Sequence, residues 1–328
     1  MRVVRVSEFG GPEVLVAGEA PDPVAGAGQV VIGVEVAAID FVQTQLRQGF
    51  SPGPPLPQLP YVPGATVAGT VLSVGDGADS GWIGRRVVGH TSDGLGGNAE
   101  KAVADAAELF PVPDELGLPE AAALFDDGST AIGLAERAAI KPGEWVLVEA
   151  AGGGVGSLLV QLARAAGARV IGAARGERKR ELVISLGAEL AVDYSESGWR
   201  EEVLAATGGR GPDLVFDGIG GTIGREAFEL TARGGRFSVH GASSGAPSKI
   251  DPEEAERREV TVIGLEQLFG FAATAGPRKE QALSQAAAGL LNPTIGQTFP
   301  LERAADAHAA MQNRQVIGKT LLQVQTGA

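Results

Sequence analysis

The chain has 328 residues with a formal net charge of −13; 49 residues are glycine and none is cysteine. This length predicts two domains with ample core, and a composition of 44% hydrophobic and 20% charged residues excludes intrinsic disorder. The acidic charge argues against a nucleic-acid or membrane-surface partner, and the lack of cysteine excludes disulfides, thiolate zinc clusters and a cysteine nucleophile. The first residues lack a secretory signal, and no apolar run reaches the ~20 residues of a membrane span, so we expect a cytoplasmic protein.

The first third of the chain predicts antiparallel strands. Short valine-rich runs occur at residues 30–36, 66–75 and 85–89, and clusters of glycine and proline separate them. Such runs between turn residues are typical of strands joined by long loops. We therefore expect residues 1–122 to form a mainly β domain.

Strands and helices alternate after Pro119. We predict strands at 144–150, 169–174, 190–192, 213–217, 235–241 and 259–264, and helices at 155–166, 177–186, 201–206 and 223–230. Alternating units of this length build an α/β fold with a doubly wound parallel sheet, predicted here over residues 123–266. A helical pattern at 304–312 and a strand at 319–324 break the alternation, so residues 267–328 are expected to return to the first domain.

The strongest local signal is VLVEAAGGGVGSLLVQLA, residues 146–163, in which a buried strand runs through consecutive glycines into a helix. Glycines at 152, 153, 154 and 156 let the backbone approach a pyrophosphate at the helix N-terminus, where free N–H groups and the positive end of the helix dipole favour an anion. A glycine-rich loop alone also suits a structural turn. Its place between a strand and a helix favours a dinucleotide site.

The end of the second predicted strand indicates which dinucleotide binds. An NAD enzyme places Asp or Glu there, about 20 residues after the glycines, to hold the ribose hydroxyls. This chain has Ala173, Ala174 and Arg175, and arginine suits a 2′-phosphate. Arg175 opens the basic segment RGERKR (175–180), which also suits a solvated helix face paired with its own glutamates. We predict NADPH rather than NADH.

These segments belong to a wider pattern that includes LGAELAVDY (186–194), DGIGG (217–221), ARGGRFSVHG (232–241) and AHAAMQNRQVIGKTLL (307–322). The pattern resembles the medium-chain dehydrogenase/reductase superfamily, and in particular its zinc-independent quinone oxidoreductase, or zeta-crystallin-like, branch. The resemblance covers essentially the whole chain. It implies a Rossmann-type domain over residues 123–266 and a GroES-like catalytic domain formed by residues 1–122 and 267–328.

The resemblance also implies a set of cofactor contacts. They are Thr130 and Gly241 beside the nicotinamide, Gly153, Gly154 and Val155 in the pyrophosphate loop, and Lys179 and Tyr194 at the 2′-phosphate, with Arg175 where the branch often has serine. Tyr194 by itself also suits a half-buried core aromatic residue. The cofactor that this set implies is NADPH, in agreement with the prediction from the loop.

Zinc-dependent members of the superfamily bind a catalytic metal through a Cys, the His and Glu of a Gly-His-Glu motif, and a second Cys or an acidic residue. Here Asp40, Ala65, Thr66 and Asp126 stand at those positions, and this is a poor donor set for zinc. The three histidines show no spacing typical of a ligand pair: we place His90 in a loop, His240 at a strand end and His308 on a helix. We therefore expect no metal.

Without a metal, the remaining chemistry is hydride delivery to an electrophile that stabilises negative charge, such as a quinone or the C=C bond of an α,β-unsaturated carbonyl. Ser51 stands where the branch often has a tyrosine in its pocket, so a proton donor cannot be carried over. We hypothesise that Asp40 and Asp126 face the nicotinamide pocket, where repulsion and partial burial keep a proton on one of them as a general acid. Asp126 equally suits a helix cap or a contact with backbone N–H groups, and Asp127 favours that interpretation.

Two other classes of function remain open. Some relatives in this branch are structural NADPH-binding proteins, and zeta-crystallin-like proteins are also associated with RNA, although the charge of −13 opposes nucleic acid. A zinc alcohol dehydrogenase is nearly excluded by the missing ligands. The resemblance further implies a homodimer joined through the cofactor domain, with the strand at 259–264 as a candidate edge unless the segment after it covers that edge.

Overall fold

A computed structural model describes residues 1–51, 55–272 and 274–324. The chain forms two compact units, the first consisting of Met1–Asp126 with Leu283–Ala328 and the second of Asp127–Ala282. The sequence analysis placed the limits between the two domains after residues 122 and 266. No helix within the described ranges is long and apolar enough to cross a membrane.

The strands of the two units are numbered in chain order. They are β1 (Arg2–Val6), β2 (Leu15–Glu19), β3 (Gln29–Ile39), β4 (Thr66–Val74), β5 (Arg86–His90), β6 (Lys101–Asp105), β7 (Leu109–Pro111), β8 (Trp145–Glu149), β9 (Arg169–Ala173), β10 (Leu190–Val192), β11 (Leu214–Asp217), β12 (Arg236–Val239), β13 (Thr261–Ile263), β14 (Ile295–Pro300) and β15 (Lys319–Gln323).

The α-helices follow the same numbering rule. They are α1 (Phe41–Arg47), α2 (Leu118–Ala138), α3 (Gly154–Ala165), α4 (Glu177–Ser185), α5 (Trp199–Ala206), α6 (Gly221–Leu230), α7 (Pro252–Arg257), α8 (Gln267–Ala272), α9 (Ala275–Ala287) and α10 (Ala304–Gln312). Helix α2 belongs to both units, because the limit between them falls between Asp126 and Asp127.

The first unit is built around a largely antiparallel sheet. Its strand order is β14-β15-β3-β4-β5-β7, with β6 also pairing with β3, and β1 and β2 form a separate antiparallel pair. The last strand, β15, pairs antiparallel with β3. Valine and isoleucine dominate β3, which is buried along almost its whole length, and β-branched side chains suit such a pleated, packed surface.

Strand β3 buries side chains on both faces of this sheet. Its pairing with β4 shifts register between Val34 and Val36, so Val34 lies in one hydrophobic cluster and Val36 in the other. The second cluster also contains Ala122 and Phe125 of α2. Phe125 is fully buried, and burying such a side chain contributes about 1.5–3 kcal/mol. The first half of α2 is thereby fixed on the sheet, which sets the position of the next residue, Asp126.

The second unit confirms the predicted doubly wound parallel sheet. Its strand order is β10-β9-β8-β11-β12-β13, and every pairing between neighbours is parallel. The chain winds outward in one direction from β8 and in the other from β11, so the winding reverses between these two strands. In such sheets ligands bind outside the carboxyl ends of the strands at this reversal.

Predictions for the second unit agree with the structure to within two residues at each end of an element. Sequence analysis assigned no helix to five segments, which the structure shows to be α1, α2, α7, α8 and α9. The loop predicted around His90 is also wrong. His90 is the last residue of β5 and pairs with Thr66 of β4, so it belongs to the sheet of the first unit.

Candidate active site

The predicted pyrophosphate loop forms a tight cradle at the start of α3. Gly153 is the N-cap of this 12-residue helix, and Gly154 and Val155 are its first residues. A Cβ atom on Gly156 would overlap the backbone oxygen of Ala150, and one on Gly154 would overlap the carboxylate of Asp127. Only glycine fits these close approaches at the start of the helix, where backbone N–H groups and the positive end of the helix dipole favour an anion.

Cationic side chains stand on one side of this loop. The side chain of Lys179 packs over Gly152, where an added Cβ would lie 2.9 Å from the Cβ of Lys179. The guanidinium of Arg175 lies 5.9 Å from the ring centroid of Tyr194, within the range of a cation–π contact. Tyr194 also packs against the hydrophobic core of the second unit, as the alternative interpretation predicted. The structure therefore brings the predicted 2′-phosphate residues to the same end of the sheet as the glycine loop.

Asp193 holds this cationic side in place, and sequence analysis missed it. Its carboxylate accepts hydrogen bonds from the backbone N–H of Gly176 at 2.6 Å and from the N–H and hydroxyl of Ser195 at 2.9 and 2.5 Å. Burial alone would raise the pKa of Asp193, but these hydrogen bonds outweigh it and lower the pKa below the usual range. The Asp-x-Ser spacing is an Asx-turn signal that was available in the sequence.

A crevice lies at the carboxyl ends of β8 and β11, where the winding of the sheet reverses. The glycine loop lies on the β8 side of it, and the ends of β11 and β12 form the other side. A Cβ on Gly241 would lie 2.7 Å from the backbone oxygen of Gly218, so glycine is required where the two strand ends converge. Asp217 ends β11 fully buried, and it accepts hydrogen bonds from the N–H groups of Ile219 and Gly220 at 2.9 and 2.7 Å and from the hydroxyl of Ser248 at 2.5 Å.

Glu149, the last residue of β8, stands beside Asp217 and is also fully buried. Neither of its oxygens receives a hydrogen bond from a donor among the described residues. Burial raises the pKa of Glu149 well above its usual value, and the charges of Asp217 and Glu226 raise it further. Burial and the neighbouring negative charge therefore both favour the protonated form of Glu149.

Thr130 and His240 complete the positions of interest in the second unit. Thr130 lies partly buried in α2, about one turn after Asp127. His240 follows β12 directly, and burial lowers its pKa to about 4, although the charge of Asp217 opposes this shift. The imidazole of His240 is therefore neutral near pH 7, and its buried Nδ1 has no hydrogen-bond partner in the part of the chain that the structure describes.

In the first unit, Asp126 stands at the meeting point of three elements. Its Oδ2 accepts a hydrogen bond of 2.5 Å from the hydroxyl of Thr66 on β4, and its Oδ1 lies 2.9 Å from Nε2 of His90 on β5. Thr66 and His90 are direct cross-strand neighbours, so their side chains reach Asp126 from the same face of the sheet. Asp126 lies inside α2 and does not cap a helix.

Asp40 has a different partner. It forms an ion pair with Lys319, a buried residue at the start of β15. Asp40 precedes α1 as its N-cap, but its side chain makes no capping hydrogen bond. Each of the two predicted catalytic carboxylates thus has donors of its own, and their catalytic role stays a prediction. Neither Lys319 nor His90 was assigned to the site from sequence.

Comparison with known proteins places the chain in a family. Residues 26–114 match the alcohol dehydrogenase GroES-like domain, and residues 154–270 match the zinc-binding dehydrogenase domain. Human quinone oxidoreductase is 35% identical over 318 residues, which cover 94% of this chain and 93% of the relative. The chain belongs to the quinone oxidoreductase family. This family lies within the medium-chain dehydrogenase/reductase superfamily, so the first unit is GroES-like and the second is of Rossmann type.

Two further similar proteins extend the comparison. The 2-haloacrylate reductase of a Burkholderia species is 32% identical over 324 residues, 97% of each chain. The crystal structure of Escherichia coli quinone oxidoreductase complexed with NADPH superposes with a TM-score of 0.88 at 28% identity, covering 99% of this chain and 100% of that one. Within the described part of this chain, no group of three or more His, Cys, Asp or Glu side chains is arranged to hold a metal ion.

Proposed function

We propose that the protein is a zinc-independent, NADPH-dependent reductase that transfers a hydride to a quinone or to the C=C bond of an α,β-unsaturated carbonyl. The observation that carries the proposal is the glycine cradle at the start of α3 with Lys179 packed over it. The relatives support it, because they include quinone oxidoreductases, one of them solved with NADPH, and a 2-haloacrylate reductase.

The residues of the crevice fit this dinucleotide. The backbone around Gly153, Gly154 and Val155 would hold the pyrophosphate at the positive end of the helix dipole. Lys179, Arg175 and Tyr194 would hold the 2′-phosphate, and no acidic side chain stands at positions 173–175 to prefer a free ribose hydroxyl. Thr130 and Gly241 would flank the nicotinamide. When bound, NADPH supplies the hydride.

The protein's own chemical task is to orient the substrate, exclude water and provide a proton. Quinones and α,β-unsaturated carbonyls place the arriving electron pair on an oxygen, which hydrogen-bond donors can stabilise without a metal. We propose that Asp126 and Asp40 take part in supplying this proton. They are the acidic residues of the first unit that stand at the positions where zinc-dependent relatives have metal ligands. Replacement by asparagine tests each of them.

We also propose a homodimer that pairs through β13. This strand is the outermost of the six-stranded sheet, and its Val262 is 39% exposed. A free sheet edge offers backbone hydrogen bonds to a second copy. Light scattering on Val262→Pro, compared with the unmodified chain, tests this: a change from dimer to monomer is expected, and an unchanged mass would contradict it.

The decisive test of the function is NADPH oxidation against a panel of quinones, 2-enals and 2-enones, with NADH run in parallel. We expect turnover with at least one compound of the panel and a clear preference for NADPH. Tight binding of NADPH without oxidation would favour the alternative, a non-catalytic NADPH-binding protein. Preference for NADH would contradict the roles given to Arg175 and Lys179.

A further inference from the structure

The pair formed by His90 and Asp126 has the geometry of an oriented general acid. Nε2 of His90 lies 2.9 Å from Oδ1 and 3.1 Å from Oδ2 of Asp126, so this nitrogen points at the carboxylate. Oδ2 accepts the hydroxyl proton of Thr66 as well. An ionised carboxylate only accepts hydrogen bonds, so beside an ionised Asp126 the Nε2 of His90 carries the proton.

The carboxylate therefore fixes which ring nitrogen of His90 carries its proton. A carboxylate that receives Nε2–H holds the imidazole in one tautomer and stabilises the imidazolium. Among the described residues, Asp126 is the only ionisable group within ion-pair distance of this ring. Nδ1 is left as the nitrogen able to exchange a proton with a ligand, and it has no hydrogen-bond partner in the described ranges.

The ring is held firmly yet stays accessible. Phe125 packs edge-on against it, with ring centroids 5.1 Å apart, and Phe125 is itself fully buried. The His90 side chain is 39% exposed and that of Asp126 is 29% exposed. A purely structural pair gains little at this exposure, since ion pairs open to solvent contribute only about 0–1 kcal/mol.

We propose that His90, oriented by Asp126, is the proton donor of the reduction. The assignment rests on the proposed reductase function and deepens it. As the hydride from NADPH bonds to the electrophilic carbon, the C=C electron pair moves toward the carbonyl and leaves negative charge on its oxygen. The Nδ1–H bond of the His90 imidazolium breaks and its proton bonds to that oxygen, giving an enol or hydroquinone and leaving neutral His90 with Nε2–H on Asp126. Neutral His90 then regains a proton from water. Asp126 stays ionised throughout as a positioning residue.

The test compares steady-state NADPH oxidation with a 2-enone by wild type, His90→Gln, Asp126→Asn and the matched control Asp105→Asn between pH 5.5 and 9. Asp105 is a carboxylate of the same unit that accepts hydrogen bonds from Gln29 and Ser92. We expect kcat to fall about 10²-fold in His90→Gln and to lose its decline at high pH, since general acids contribute about that much. Asp126→Asn should fall about 10-fold, and Asp105→Asn should stay within twofold.

A second measurement does not depend on activity. The ¹⁵N NMR signals of His90 should report the Nε2–H tautomer in the free wild-type protein and lose that preference in Asp126→Asn, while NADPH affinity measured by fluorescence stays unchanged. His90→Asn serves as a second variant if His90→Gln does not fold.

Different results would overturn the role of His90 and the reductase function. Wild-type kcat and pH profile in both His90 variants, or a proton on Nδ1 with Nε2 bare in the wild type, would overturn the role of His90 while the reductase function stands. Wild type that binds NADPH but reduces no quinone or enone would overturn the reductase function, and this assignment with it.

Discussion

The two units place carboxylates in opposite surroundings. In the second unit, Glu149 is fully buried beside Asp217, receives no hydrogen bond from the described residues, and has a pKa raised well above its usual value by burial and by the charge of Asp217. In the first unit, Asp126 is partly exposed and has two donors, His90 and Thr66. The same kind of side chain therefore meets burial and negative charge in one unit and hydrogen-bonding partners in the other.

This contrast shows that local donors decide where a proton resides. Sequence reasoning expected a repelling pair of carboxylates at Asp40 and Asp126, where each in fact has its own donors. That hypothesis stays a prediction, and a second pair of neighbouring carboxylates, Glu149 and Asp217, lies at the ends of two adjacent strands. Burial and electrostatic repulsion act together on Glu149 and Asp217.

The largest effect is expected from Glu149→Gln. The folded-state pKa of Glu149 is raised above its unfolded value, so its contribution to stability is fully present below about pH 4.3 and is lost as pH rises through the folded-state pKa. In that interval the unfolding free energy of wild type should fall by about 1.4 kcal/mol per pH unit relative to Glu149→Gln. Thermal and urea unfolding between pH 5 and 9 measure this difference.

The matched control for this prediction is Asp217→Asn. The asparagine keeps an oxygen for the N–H groups of Ile219 and Gly220 but removes the charge that faces Glu149, so the pH interval over which stability falls should become shorter. A slope that is equal in wild type and Glu149→Gln would show that the buried pair does not hold a proton.

Sequence could predict the second unit well because its signals are local. The glycine cradle, the alternating strands and Arg175 in place of an acidic residue lie within short segments. Helix α2 escaped prediction because Gly128 and Gly133 interrupt its pattern, yet Gly133 leaves room for Phe271, which packs 3.0 Å from a Cβ built there. That reason is tertiary and leaves no trace in the sequence around it.

The contact between His90 and Asp126 in the first unit could not be predicted for a similar reason. Thr66, His90 and Asp126 are far apart in sequence and are brought together by the pairing of β4 with β5 and the packing of α2 on the sheet. Sequence analysis interpreted Thr66 as a residue at a missing zinc-ligand position and His90 as a loop residue. Their meeting depends on strand register, which one sequence does not determine.

A smaller effect, on binding, is expected from Lys179→Ala. Charge-assisted hydrogen bonds contribute about 1.5–3 kcal/mol, so the Kd for NADPH should rise by roughly 10-fold or more while the Kd for NADH and the kcat at saturation stay unchanged. The exposed Arg178 on the same helix provides the matched control, Arg178→Ala. Fluorescence titration measures both. An equal loss for NADH would contradict a role at the 2′-phosphate.

The smallest effect is expected from Arg175→Ala. Arg175 is exposed and lies at the outer range of contact with Tyr194, where a cation–π contact contributes about 0.5–1 kcal/mol. The Kd for NADPH should rise by roughly 2- to 5-fold without any change in the pH dependence of kcat. A change in the pH profile of kcat would contradict a role for Arg175 in cofactor binding alone.

The central claim is direct hydride transfer from NADPH to carbon, and deuterium labelling tests it most directly. With [4-²H]NADPH of the reactive stereochemistry and a 2-enone, we expect one deuterium in the saturated product at the β-carbon by mass spectrometry and NMR. Deuterium oxide solvent should label only the α-carbon. A saturated product without deuterium from NADPH, or labelled at the β-carbon by solvent, would contradict direct hydride transfer.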